Sequence, residues 1–511
     1  MPSVSYRFSA LFISLILAGC SLGPDFHPPK NQLPADWHGM SSSQASRPDG
    51  ADPAISWWKS FNDPQLDSLI QRAIAGNLSL QQAMLRIAGA REQVAQATSG
   101  LFPTLSGQAS YARQQLGLKG LLKSHGVYDN LNDQAAGVVN NATGSVNFYQ
   151  GGFDSQWELD LWGKVRRQRE MAAAQQQAAI EQRNDAMVSL EAEVARTYLQ
   201  LRAAQAMTAV AEQQIAIARQ TQQLTESQMQ NGLAPATDLQ SATAQVSALQ
   251  ADLPQYQSQI TQAMNGLAVL LGQAPGTLDA ELAPAKALPA LPADIAVGVP
   301  STLARRRPDI REAEADLHAQ TANIGVSIAQ LFPDISLTGQ LGVRNTDASY
   351  LDDWSSHFYS IGPGISLPLF EGGRLVSQVR LARASQANAA LNYRNTVLNA
   401  LREVENALVS YRADQQQLVA LQSSADALQQ AWSLASESYS KGLSSYINAL
   451  DAQRQLAQTR LQLINVQAQT ATDLVVLYKA LGGGWQDNQQ LSLPNYKVFG
   501  DTPSANVDLP K

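Results

Sequence analysis

The chain of 511 residues has a single cysteine, few charged side chains and no excess of positive charge. One cysteine, Cys20, excludes a disulfide within the chain. Charged residues make up 15% of the sequence, where about 25% is usual for a soluble protein. Lys and Arg number 36 against 43 Asp and Glu, a net charge of −7 that argues against a nucleic-acid partner. Because 44% of the residues are hydrophobic, the chain is also too apolar to be disordered.

Long apolar runs and catalytic motifs are missing as well. After the N-terminus no stretch approaches the roughly 18 consecutive apolar residues of a transmembrane helix. A chain of this kind that crosses a membrane must do so as a closed β-barrel. The histidines are scattered without a His-x-x-x-His pair, and no Gly-x-x-x-x-Gly-Lys phosphate loop is present. We expect no enzyme activity, no metal site and no cofactor.

Residues 1–19 are predicted to be a lipoprotein signal peptide. Arg7 precedes an apolar run from Phe8 to Leu17, and the run ends in Leu17-Ala18-Gly19-Cys20, which is typical of a bacterial lipobox. We expect Cys20 to be acylated and to become the first residue of the mature chain. Residues 20–56, rich in Pro, Ser, Gly and Asp, would then form a lipid-anchored extended strap. The alternative is an uncleaved signal anchor with an incidental cysteine.

A unit of roughly 200 residues occurs twice in the chain. Leu101-Phe102-Pro103 recurs as Leu331-Phe332-Pro333 at an offset of 230. Asn231-Gly232-Leu233 corresponds to Lys441-Gly442-Leu443 at an offset of 210, and a Leu-Gly pair at 271 recurs at 481 with the same offset. Landmarks in the same order and at matching offsets indicate a duplication.

Each repeat contains segments in which apolar and polar residues alternate, a pattern that predicts β-strands. The alternation indicates one hairpin at about 104–161 and a second at about 334–370. Val146 and Phe148 are out of phase with the rest of their strand, and we expect a β-bulge at Gly151-Gly152 to restore the face. An ordinary soluble hairpin with one dry face is the alternative, because the barrel signal is weak in any one strand.

A long segment without proline follows each hairpin, from Gly163 to Gln230 and from Gly373 to Ser440. Apolar residues spaced three and four apart predict a coiled coil in both segments. A tight turn at Gly232 or Gly442 then leads into a returning helix. The helical hairpins would cover residues 163–272 and 373–481, and helices near 78–100 and 308–330 could stack end-on against the returning helices.

Four strands cannot close a membrane barrel, and an open strand edge cannot lie in lipid. Membrane barrels have at least about eight strands, so the chain must oligomerise. Two copies would give a barrel too narrow for a channel, and three copies give twelve strands. We therefore predict a membrane α+β fold in which three protomers contribute four strands each to a 12-stranded β-barrel.

Four motifs in order resemble one known family. They are Gly23-Pro24-Asp25 after the lipobox, Trp57-Trp58, the run Trp157-Glu158-Leu159-Asp160-Leu161-Trp162-Gly163, and Arg306-Arg307-Pro308-Asp309-Ile310. Together they resemble the TolC family of outer-membrane efflux channels, and more narrowly its lipoprotein branch of OprM-like and NodT-like outer membrane factors. The resemblance covers nearly the whole chain. It implies a trimeric 12-stranded β-barrel continuous with a long α-helical coiled-coil periplasmic barrel, which is girdled by a mixed equatorial domain.

The resemblance and the duplication together imply an order of segments. These are the signal peptide 1–19, the strap 20–56, the first repeat 57–272, an equatorial connector 273–306, the second repeat 307–484 and an equatorial C-terminal segment 485–511.

The resemblance implies the exit duct of a tripartite efflux pump, which passes drugs or other small toxic compounds to the exterior. The implied assembly is a homotrimer in the bacterial outer membrane, lipid-anchored, in contact with outer-membrane lipid and projecting into the periplasm. Its partners would be a periplasmic adaptor and an inner-membrane pump of the RND type. Two alternatives stay open: a channel of the same architecture that serves a protein-secretion ATPase, and a periplasmic coiled-coil lipoprotein scaffold.

The resemblance also assigns site residues. Ile447, Asp451 and Arg454 would form a periplasmic gate, with three Asp451 carboxylates in a ring held by cations or salt bridges. Residues at the helical tips would contact the adaptor: Gly232, Thr237, Asp238, Gly442, Leu443 and Asn448. Plain turn chemistry and an exposed i,i+3 ion pair are the alternatives for these positions.

Three acids of the first hairpin are expected to face the lumen of the barrel. They are Asp154, Glu158 and Asp160. Together with the acidic net charge, they predict a modest preference for cations.

Overall fold

The computed structural model describes residues 21–30, 33–34, 36–38, 55–115, 117–292, 295 and 297–489. The predicted signal peptide and Cys20 lie outside these residues. Most of the strap and residues 490–511 of the C-terminal segment do so too.

Four antiparallel strands form one sheet in the order β1-β2-β3-β4. They are β1 Thr104–Gln114, β2 Val146–Glu158, β3 Asp334–Asn345 and β4 His357–Ser366. The two hairpins of the repeats pair through β2 and β3, so that Asp154 lies opposite Ser106 on one side and Gln340 on the other. The sheet therefore joins the two repeats into one surface with two outer edges, on β1 and β4.

The pairing of β2 is continuous, so the prediction of a β-bulge at Gly151-Gly152 is wrong. Gly151 pairs with Ala109 and Gly152 with Gln108, in unbroken register from Thr104 to Gln114. An uninterrupted ladder keeps every backbone group of the strand paired, which a bulge would not. Val146 and Phe148 consequently lie on the same face as Asp154.

The helices of the two repeats match in length. In chain order they are α1 Pro64–Gly76, α2 Leu78–Ser99, α3 Leu118–Ser124, α4 Asp133–Ala142, α5 Lys164–Gln230, α6 Ala236–Leu270, α7 Asp279–Leu282, α8 Leu303–Arg306, α9 Pro308–Ala329, α10 Arg374–Ser440 and α11 Tyr446–Ala480. α5 and α10 each have 67 residues, α6 and α11 each have 35, and α2 and α9 each have 22. Equal lengths in corresponding positions support the duplication.

The described helices were also compared with the requirements for crossing a bilayer. Within the described part of the chain, none of them combines the necessary length with the necessary apolar character.

The chain divides into two compact units. Among the described residues, the first unit contains 21–27, 90–175 and 317–389 and holds the sheet, and the second contains those of 28–89, 176–316 and 390–489. The core of the second unit is built around Trp57, Phe61 and the buried face of α1. Trp57 stacks on Tyr478 of α11 with ring centroids 5.4 Å apart.

The end of each returning helix lies against the start of the helix that precedes the strands of its repeat. In this way α6 meets α2, and α11 meets α9. In the first repeat Asn77 Nδ2 donates to the carbonyl of Leu270 at 2.9 Å, at the end of α6. In the second, Arg307 Nη1 donates to the carbonyl of Ala480 at 3.0 Å, at the end of α11. Both side chains satisfy a helix-terminal carbonyl that has no partner within its helix.

Arg307 makes more polar contacts at its helix junction than Asn77 does. It is buried, and its Nη2 lies 2.7 Å from Asp309 Oδ2 and 2.8 Å from Glu403 Oε2. A buried cation is tolerated where carboxylates and a carbonyl surround it. The ion pairs and hydrogen bonds outweigh the effect of burial, so the pKa of Arg307 is raised.

Glu191 on α5 is a buried carboxyl group without a hydrogen-bond partner. Its side chain is fully buried, and neither carboxylate oxygen has a partner among the described residues. Gly484, with φ 121°, packs so closely that a β-carbon there would overlap the carboxylate. Burial raises the pKa of Glu191 well above its ordinary value, and the charge of Arg183 opposes this rise. The folded chain therefore favours the protonated acid.

We predict that Glu191→Gln stabilises the folded protein at neutral pH. An unfolded Glu ionises near its ordinary pKa of about 4.3, whereas folded Glu191 holds its proton to higher pH. The free energy of unfolding therefore falls as pH rises above that value, by up to about 1.4 kcal/mol per pH unit until the folded pKa is reached. Thermal unfolding of the purified protein at pH 5 and pH 8 measures this fall.

Glu193→Gln is the matched control, because Glu193 lies two residues further along α5, is partly exposed and pairs with Arg196. The wild type and Glu193→Gln should lose more stability between the two pH values than Glu191→Gln. Equal losses in all three proteins would contradict the assignment.

Candidate functional site: the sheet faces and the helical tips

The sheet has one apolar and one polar face. The constant register places the odd-numbered residues of all four strands on one side and the even-numbered residues on the other. The odd face carries Leu105, Phe153, Trp157, Leu337, Leu341, Tyr359, Ile361 and Ile365. In the single chain this face is exposed; Tyr359, for example, is 81% exposed. An apolar surface of this extent requires a cover other than water.

Polar side chains meet in rows on the even face. Ser106, Asp154, Gln340 and Ser360 lie opposite one another across the four strands. The Asp154 carboxylate accepts a hydrogen bond from the amide of Gln108. Side chains of this kind are suited to a water-filled interior.

The other two acids expected on this face are Glu158 and Asp160. Both contact groups near the start of α5. Glu158 ends β2, and its Oε1 lies 2.6 Å from Lys164 Nζ. Asp160 lies beyond the strand, so the expectation that it is a barrel acid is corrected. Its carboxylate accepts from the backbone N–H groups of Val165 and Arg166, both at 3.0 Å. Asp160 caps the first turn of the helix because these N–H groups have no partner within it.

The helical tips are two nearly identical turns. After α5, Gly232 (φ 74°) donates to Met229 O and Leu233 donates to Gln228 O, which is a Schellman motif. After α10, Gly442 and Leu443 make the corresponding bonds. A Schellman motif usually packs the residue after the glycine against its helix. Here those residues, Leu233 and Leu443, are 78% and 79% exposed.

The other predicted tip residues begin the returning helices. Thr237 and Asp238 are in the first turn of α6, where the Asp238 N–H donates to Pro235 O. Asn448 is in the first turn of α11, and its Nδ2 donates to Ser444 Oγ at 2.9 Å. Both positions therefore have local turn contacts.

The three predicted gate residues lie on successive turns of α11. Ile447 is 63% exposed, and the exposed Asp451 carboxylate accepts from Gln455 Nε2 at 2.9 Å. Arg454 does not pair with Asp451 within the described part of the chain. Its Nε instead donates to Gln245 Oε1 at 2.7 Å, on α6 of the first repeat.

The family model for outer membrane efflux proteins matches two segments, residues 69–273 and 299–483. Their ends are offset by the same 230 and 210 residues as the sequence landmarks of the duplication. The chain belongs to the outer membrane efflux protein family.

Individual members of this family are similar along almost their full length. Nodulation protein T of Rhizobium leguminosarum bv. trifolii is 32% identical over 488 residues, which cover 94% of this chain and 97% of that protein. The antibiotic efflux pump outer membrane protein ArpC of Pseudomonas putida is 32% identical, with 95% and 98% covered. The solved outer-membrane channel OprN is 32% identical, covers 91% of this chain and 100% of its own, and superimposes with a TM-score of 0.82.

Membership in the family confirms the predicted fold class and function. The efflux protein is a subunit of a trimeric TolC-family channel to which each protomer contributes four strands and long helices. It is the outer-membrane exit duct of a tripartite efflux pump and works with an adaptor and an inner-membrane pump. The relatives are channel components of such pumps.

Sequence reasoning missed a small aromatic core near the tips of the efflux protein. Tyr439 and Tyr446 pack with Ala242 of the first repeat, and Tyr439 OH lies 3.1 Å from Thr225 Oγ1. Burial and the neighbouring Tyr439 raise the pKa of Tyr446 to about 12, so its hydroxyl stays protonated. This core and the Arg454–Gln245 bond hold the helical hairpin α10–α11 against the hairpin α5–α6. Two tyrosines beside a predicted turn were the available signal.

Proposed function

We propose that this channel releases drugs or other small toxic compounds, which an RND-type pump delivers through the adaptor. The relative ArpC is named as the outer membrane protein of an antibiotic efflux pump. The even face of the sheet supports a route for small polar or amphipathic molecules, because its rows of Ser, Thr, Gln and Gly are uncharged except at a few positions.

The exposed odd face of the sheet contacts outer-membrane lipid in this proposal, and the even face lines the lumen. The division into an apolar and a polar face supports this assignment, since membrane barrels alternate in this way. Asp154 then lies in the lumen and favours cations. Glu158 contributes less, because Lys164 neutralises it.

The N-terminal strap is anchored by acylated Cys20 in the same proposal. Ser21, the next residue, packs against Gly163 at the start of α5, and Leu22 N donates to Trp162 O at 3.2 Å. Buried Arg167 lies 2.6 Å from Asp25 and lowers the pKa of that carboxyl. The strap is thus bound beside the end of β2, a position that suits a lipid attached to residue 20.

The gate is formed by Ile447, Asp451 and Arg454. The observation that carries this proposal is the exposure of Ile447 and Asp451 on α11, while Leu450 and Gln453, on another face of the same helix, are buried. Around the axis of a trimer, three exposed Asp451 carboxylates repel one another unless cations or salt bridges hold them. Arg454 fixes the helix from behind through Gln245.

We predict that Asp451→Ala increases single-channel conductance in planar lipid bilayers. Removal of the carboxylates takes away the groups through which cations or salt bridges hold the ring together, so the constriction widens. Asp426→Ala is the matched control, because Asp426 is an exposed α10 acid that accepts from Gln422 as Asp451 does from Gln455. A conductance of the Asp451 variant equal to that of wild type and control would refute the gate.

The tips are the contact surface for the adaptor. Their exposed leucines, Leu233 and Leu443, lie in equivalent turns, and trimerisation presents six of them. Gly232 and Gly442 have open space around them, so a partner can approach the backbone. Thr237, Asp238 and Asn448 add polar groups beside the leucines.

We predict that Leu443→Ser weakens binding of the purified channel to its adaptor by about tenfold or more, because full burial of a leucine contributes roughly 1.5–3 kcal/mol. Leu434→Ser is the control, since Leu434 is an exposed leucine of α10 away from the turn. Binding measured by surface plasmon resonance should be unchanged in the control. An unchanged affinity of the Leu443 variant would exclude this turn from the contact.

A further inference from the structure

Arg344 is the only lysine or arginine on the even face of the sheet, among strand residues that are all described. It lies near the end of β3, opposite Gln150. This end of the sheet faces away from the starts of α5 and α10 and adjoins the connections that contain α3 and α4. In the assembled channel it is the outer end of the sheet.

Aromatic side chains surround Arg344. Its guanidinium carbon is 4.8 Å from the centroid of the Phe358 ring, a cation–π contact. Phe148 lies diagonally across on β2, on the same face, because the pairing has no bulge. Gly342 of β3 leaves room beside the Phe358 ring, because a β-carbon there would overlap the backbone of Gly151 on β2 and lie 3.1 Å from the ring.

The guanidinium of Arg344 has no acidic partner among the described residues. Within the described part of the chain, Arg344 makes no ion pair. Asp154, the acid of this face without a cationic partner, lies opposite Gln340, four residues further along β3. At 3.3 Å per residue the two charges are separated by about 13 Å along the strand. A trimer therefore contains two levels of fixed charge, acidic towards the helices and basic towards the exterior.

We propose that Arg344, held on Phe358 and flanked by Phe148, forms a cationic, aromatic ring at the outer end of the lumen that attracts aromatic anions and opposes the cation preference of Asp154. The proposal rests on the assignment of the even face to the lumen. Guanidinium groups bind carboxylates and sulfonates, and phenyl faces bind flat apolar rings, so together they favour organic anions with an aromatic group. Fixed charges of opposite sign in series also make the current depend on the direction of the voltage.

The experiment compares Arg344→Gln, Asp154→Asn and wild-type trimers in planar bilayers under a KCl gradient. Arg344→Gln should shift the reversal potential towards the K⁺ equilibrium potential and reduce the asymmetry of the current–voltage curve. Asp154→Asn should shift the reversal potential in the opposite direction. Arg344→Lys, which keeps the charge, should restore the wild-type reversal potential.

Block by 1-naphthalenesulfonate, added from the outer side, tests the aromatic part of the site. Phe358→Leu keeps the charge of Arg344, so the reversal potential should stay near that of the wild type while block weakens. Arg344→Gln should lose most of the block. Trimers that resist dissociation in detergent show that each variant is assembled.

Two outcomes separate the possible failures. If Asp154→Asn shifts the reversal potential and Arg344→Gln does not, the arginine ring is excluded and the lumen assignment survives. If neither variant shifts it, the even face does not line the lumen, and the proposal fails with that assignment.

Discussion

Backbone N–H and C=O groups have no water to bind in the hydrocarbon of a membrane, and each unpaired group costs several kcal/mol. The sheet of this chain meets that constraint in all of its interior, since β1 to β4 pair without a break. Among the described residues, the outer edges of β1 and β4 have no neighbouring strand. Closure of these edges in the trimer follows from the same constraint. The unbroken register of the strands sets which face of the sheet each side chain occupies.

The duplication explains how one chain provides two inequivalent helical hairpins. Equal helix lengths and equivalent Schellman turns keep the two repeats in register. The two helix junctions, however, differ in their side chains. Asn77 closes one helix junction with a neutral amide, whereas Arg307 closes the other with a buried cation and two carboxylates. Arg454 of the second repeat donates to Gln245 of the first, so the proposed gate is fixed by the repeat that does not contain it.

Periodicity and repeated landmarks predicted the elements of the fold closely, because strand and helix periods depend on local sequence. The same reasoning failed where the outcome depends on a partner distant in sequence. A bulge at Gly151-Gly152 was expected from the phase of Val146 and Phe148, but β1 and β3 hold the strand straight. The alternation of apolar and polar residues predicted that Asp160 is an acid of the barrel. Its carboxylate instead accepts from backbone N–H groups in the first turn of α5.

Buried polar groups were beyond prediction for a related reason. Nothing in the run around Glu191 shows that its carboxyl will meet the backbone of Gly484, since the two residues are distant in the chain. The cation–π pair of Arg344 and Phe358 likewise depends on the register of β3 and β4, which alternation alone leaves undetermined. Three-dimensional pairing supplies this information.

In the proposed channel, the uninterrupted register assigns even-numbered strand residues to the lumen and odd-numbered ones to lipid. Cysteine labelling tests this assignment. Single cysteines are introduced at positions 146–149 of β2 and 359–362 of β4 and are labelled with a membrane-impermeant maleimide in outer-membrane vesicles. The claim predicts labelling at 146, 148, 360 and 362 and protection at 147, 149, 359 and 361, with the wild-type chain as background control. Labelling of 147 and 149 in place of 146 and 148, or labelling without alternation in β4, would contradict it.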